Sequence, residues 1–114
     1  MDSNAKKEMQ QQYKEREVTG GVYVVRNTQS GKLLIEATRD LRGSRNRFEF
    51  AQKAGSCVYV KLQKDWADFG GGAFVFETLE ELTKGETQTD AAFNSDLGVL
   101  KELWLEKLAN ECFY

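Results

Sequence analysis

The chain has 114 residues, 40% of them hydrophobic and 30% charged, with a formal net charge of −2. Such a composition suits one globular domain with one core, and argues against wholesale disorder and a strongly cationic nucleic-acid coat. Histidine and proline are both absent, which removes Ser-His-Asp hydrolases, Cys-His proteases and histidine-based zinc sites, and leaves no proline-rich linker.

In chain order, residues 4–17 are polar and free of helix breakers, with Met9 and Tyr13 four apart. They predict a short N-terminal helix within a segment 1–18, ahead of a domain over 19–114. This N-terminus has no apolar signal core, and no apolar run nears the roughly 18 residues of a membrane span, so a cytoplasmic protein without a membrane partner is expected. Gly20-Gly21 breaks the helical pattern, and Val22, Tyr23, Val24 and Val25 read as a strand. Turn chemistry from Asn27 to Gly31 leads into a returning strand over 32–37.

Residues 39–54 carry a partial helical stripe of Phe48, Phe50 and Ala51, broken by Gly43, and Gly55-Ser56 offer a stop and an N-cap. A second helix is predicted from about Cys57 to Phe69, with Val58, Leu62, Trp66 and Phe69 on its apolar face, ended by Gly70-Gly71-Gly72. Residues 73–79 alternate as a third strand, 84–90 form a polar loop, and Phe93, Leu97, Leu100, Trp104 and Leu108 mark the longest amphipathic helix. The expected fold is α+β, a small central antiparallel three-stranded sheet flanked by helices. Cys57 and Cys112 share no CxxC spacing and are expected as free thiols.

Charge is unevenly placed. Between Arg39 and Lys64 seven basic residues face two acidic ones, while 77–90 carries five acidic residues against Lys84. A basic helix face with Arg39, Arg42, Arg45 and Arg47 is a candidate nucleic-acid-binding surface, for DNA or RNA; a solvated face without a partner is its bland counterpart.

Several stretches together resemble the GIY-YIG nuclease family. Gly21-Val22-Tyr23 followed by Val24-Val25-Arg26-Asn27 is similar to the GIY half, and Ser30-Gly31-Lys32 with the strand Leu33-Leu34-Ile35-Glu36-Ala37-Thr38 stands where the YIG half follows. Asp40-Leu41-Arg42-Gly43 resembles the family's Asn-Leu-Lys helix start, and Leu103-Trp104-Leu105-Glu106-Lys107-Leu108 its closing helix. Leu62-Gln63-Lys64-Asp65-Trp66 and Phe74-Val75-Phe76-Glu77-Thr78-Leu79-Glu80 are similar to stretches of its bacterial members, above all a short stand-alone subgroup labelled LuxR-like. The resemblance spans roughly residues 20 to 108.

Active members of that family cut a phosphodiester with a tyrosine that activates water, an arginine that stabilises the charged phosphorus, and one divalent metal on a single glutamate. The resemblance carries the GIY tyrosine onto Tyr23. It carries the YIG tyrosine onto Leu34, the YIG glycine onto Glu36, the helix arginine onto Ser44, the next catalytic position onto Phe48 and the metal glutamate onto Lys101. The closing asparagine has no counterpart. An aliphatic chain has no proton to exchange, and an ammonium repels a metal ion.

The expectation is therefore a catalytically degenerate nucleic-acid-binding or regulatory module that needs no cofactor. A second reading is an active endonuclease using Tyr23 and Arg45 as catalytic residues, with Glu102 holding Mg²⁺ or Mn²⁺. A third is an interaction protein, a homodimer through apolar helix surface, without a nucleic-acid role.

Overall fold

The computed structural model describes residues 18–114, so the expected N-terminal helix lies outside the described residues. Strands β1 (Thr19–Asn27) and β2 (Leu33–Thr38) form a hairpin, followed by helix α1 (Leu41–Ala54) and a short helix α2 (Gln63–Phe69). Strand β3 (Phe74–Thr83) and helix α3 (Asp90–Lys107) complete the order. The sheet is antiparallel with β1 at its centre, in the order β2-β1-β3. This is the α+β architecture expected.

Alternation along β1 splits the core between two faces. Tyr23 and Val25 join Leu34, Phe48, Ala51, Leu62, Trp66 and Phe74 beneath α1 and α2. Val22, Val24 and Ile35 face the other way, against Leu100, Trp104 and Leu105 of α3. Helix α3 begins at Asp90, capped by Thr89, whose hydroxyl accepts from the Ala92 N–H at 3.1 Å.

Gly20-Gly21 lies inside β1, which lengthens both β1 and its partner β3 beyond their expected ends. A side chain at Gly21 would collide with the Glu80 carbonyl oxygen, and its φ of 155° lies where L-residues are strained. Close strand approach is thus the reason for glycine here. Gly43 does not break α1. Its N–H donates to the Asp40 carboxylate at 3.0 Å, and Asp40 caps the helix. Phe50, expected on the apolar stripe, is 71% exposed.

The second helix starts later than its periodicity implied. Cys57 donates from its thiol to the Tyr59 carbonyl at 3.2 Å and accepts from the Tyr59 N–H at 3.4 Å, a local closure that competes with helix. A 3₁₀ turn over Val60–Leu62 then leads into α2. Leu62 and Trp66 are buried, but Val58 and Phe69, at 53% and 49% exposed, face solvent. Gly55 ends α1 in a left-handed conformation, and Ser56 donates to the Ala51 carbonyl and caps nothing.

The last residues pair with the outer edge of β2. Leu33 donates to the Cys112 carbonyl and Tyr114 to the Leu33 carbonyl, each at 2.9 Å. Among the described residues no helix is long and apolar enough to cross a membrane, and Cys57 and Cys112 are free thiols.

Candidate functional site

The site forms where β1, β2, α1 and the connection from α1 to α2 meet. Register places Tyr23 opposite Glu36, and a shift in the pairing with β3 falls between Val22 and Tyr23. Tyr23 is 5% exposed, stacked on Phe76 with ring centres 4.3 Å apart. Its hydroxyl lies 3.2 Å from that of Tyr59.

Ser44 and Arg47 are three apart on α1 and therefore neighbours on one face. They line a cleft of about 130 Å³ with Tyr23, Val58 and Tyr59. A wider cleft of about 360 Å³ shares Tyr23, Val58 and Tyr59 and adds Leu34, Glu36, Val60 and Lys61. An Arg47 nitrogen donates to Ser44 Oγ at 3.5 Å, and Ser44 Oγ donates to Thr38 Oγ1 at 2.8 Å.

Burial raises the Tyr23 phenol above its ordinary value, and the Glu36 charge adds to this. Contacts with Tyr59, Ser44 and Arg47 act the other way. Tyr59 is raised further, first by burial and then by its bond to Tyr23, with Arg47 opposing. At neutral pH both phenols are protonated donors. A phenol that serves as general base needs the opposite shift.

Of the residues singled out from sequence, Arg47 shares a cleft with Tyr23, and Arg45, Arg39 and Glu102 lie elsewhere. Arg45 lines a separate cleft of about 260 Å³ with Thr19, Leu41, Arg42, Thr78 and Glu81. It donates to Thr78 Oγ1 at 3.3 Å and lies 5.3 Å from the centre of the Phe76 ring, the ring that stacks with Tyr23. Arg39 is drawn to the start of α3, where it meets Asp90 at 2.8 Å alongside Lys84. Glu102 is exposed on α3 and lines neither cleft of Tyr23.

Two features were not foreseen. Tyr59 supplies a second phenol from a position 36 residues beyond Tyr23; no local pattern signals such a contact. Lys101, where the resemblance puts the metal glutamate, meets Glu36 with Nζ and Oε2 4.0 Å apart. The nearest carboxylate is thus matched to an ammonium. No group of three or more His, Cys, Asp or Glu side chains converges among the described residues. This donor set does not fit a hard divalent cation.

Sequence comparison with protein families and with curated proteins returns no match. Comparison of folds does. The catalytic domain of the intron endonuclease I-TevI, as a point mutant, superposes with a TM-score of 0.53 at 21% identity, covering 80% of this chain and 84% of that one. A second structure of the catalytic domain of homing endonuclease I-TevI gives 0.50 at 20% identity, over 79% and 88%. The chain has a GIY-YIG-like fold.

Proposed function

We propose that this GIY-YIG-like fold serves as a nucleic-acid-binding module that does not hydrolyse its ligand. The observation that carries the reading is the Lys101–Glu36 pair beside Tyr23, at 4.0 Å. A cation thus stands beside the carboxylate where a metal-dependent nuclease needs an unmatched carboxylate. Leu34, buried at 5% exposure, supplies no proton nearby, and the phenols are held protonated. The fold's endonuclease neighbours and the exposed Arg42, Arg45 and Arg47 along α1 support a nucleic-acid backbone as the ligand.

Purified protein incubated with plasmid, single-stranded DNA or RNA and Mg²⁺ or Mn²⁺ tests this directly. The expected result is no cleavage, with retention of strands that weakens as salt rises. Metal-dependent nicking that disappears in Tyr23→Phe would overturn it. The homodimer reading has its own support in Val99 and Leu103, 53% and 48% exposed and one turn apart on α3. Sizing chromatography of wild type against Leu103→Glu decides it.

A further inference from the structure

Tyr59 belongs to no motif, yet the tertiary structure puts its hydroxyl 3.2 Å from that of Tyr23. The wider of the two clefts contains Leu34, so the phenol missing from β2 is replaced across that cleft by one from the α1–α2 connection. We propose that Tyr59 is a binding residue which, with Tyr23 and Arg47, seats one phosphate group through donated hydrogen bonds. The phosphate's source, a nucleic-acid strand, rests on the function proposed above; the chemistry of the seat does not.

Counting hydrogens leads to an acceptor ligand. Two phenols carry two O–H groups, and the contact between them uses one. Among the described residues Arg47 makes one side-chain hydrogen bond, to Ser44 Oγ, so most of its N–H donors face no protein acceptor. Unused Arg47 N–H donors and one phenol O–H therefore remain at the narrow end of the cleft. Glu36 is the group that would repel an anion, and Lys101 offsets its charge. Leu34, buried at 5% exposure, gives the wider cleft an apolar side. The connection itself is held in shape by the Cys57 thiol, closed on the Tyr59 backbone.

Tyr59→Phe in the full chain keeps the ring and removes only the hydroxyl. Two measurements are paired. The first is affinity for a single-stranded and a duplex oligonucleotide at low salt. The second is a titration with inorganic phosphate followed by NMR of labelled tyrosine rings. The expected results are a loss of about tenfold in strand affinity and a saturable phosphate-induced shift of Tyr23 and Tyr59, absent for Tyr23 in the variant. A variant that binds strand and phosphate as wild type does overturns the seat, as does a wild type whose rings show no saturable shift. Strand binding indifferent to Tyr59→Phe leaves the nucleic-acid reading standing without the seat. Ring shifts with phosphate but no strand binding leave the seat standing, with free phosphate as its ligand.

Discussion

Tyr23 and Tyr59 are phenols whose proton the fold holds tightly, both raised chiefly by burial. Tyr114 is raised as well, again by burial first. A phenol with a folded value above its unfolded value of about 10 stabilises the fold below that pH and ceases to as pH climbs through the folded value. The unfolding midpoint should therefore show no tyrosine-linked change from about pH 7 to 9 and fall above about pH 10. Tyr59→Phe should flatten that alkaline decline. Stepped-pH thermal unfolding by circular dichroism is the check. Lys101 is a different case, because it and Glu36 are more than a third exposed. Lys101→Gln should move stability by no more than about 0.5 kcal/mol, while weakening phosphate and strand binding by leaving Glu36 unmatched. Equal binding by variant and wild type would contradict the charge offset.

At the scale of elements, the hairpin turn is held by the asparagine that opens its turn sequence. Asn27 is fully buried, and its side-chain Oδ1 accepts from the Gln29 and Ser30 N–H groups at 2.8 and 3.2 Å. Its amide donates to the Tyr114 hydroxyl at 2.9 Å, and Tyr114 donates to Asp65 of α2 at 2.8 Å. One side chain thus joins turn, α2 and the C-terminal residues on the β2 edge. Asn27→Ala should cost about 2–3 kcal/mol, because it strands two N–H donors and loosens the tail; denaturant unfolding measures it. Tyr114→Phe should cost less, about 1 kcal/mol, since Asn27 then keeps its turn bonds. The periodicity that placed α3 correctly failed for α2 because a stripe at helical spacing says nothing of a competing bond. Here the Cys57–Tyr59 closure holds the chain extended, leaves Val58 outside and brings Tyr59 to the cleft.

Across the whole molecule, charge is polarised but only part of it remains open to a ligand. Arg39 is neutralised by Asp90, while Arg42 and Arg45 line an open cleft beside Thr78. Replacing Arg42 and Arg45 together with Gln should lower the slope of log affinity against log salt by about two, and weaken binding similarly for unrelated strand sequences. Fluorescence anisotropy at stepped salt reads this. An unchanged slope would remove the α1 face from the interface.

The chain's own patterning determined the hairpin, the α3 stripe and the order of the elements among the described residues, because each depends on residues near one another in sequence. Which charged and phenolic groups meet was decided only by tertiary structure. Arg47 rather than Arg45 shares the cleft of Tyr23, Tyr59 arrives from another element, and Lys101 is matched with Glu36. Side-chain direction on a helix turns by about 100° per residue, and strand register and the path of a connection are set by packing across the whole sheet. No local spacing encodes those juxtapositions.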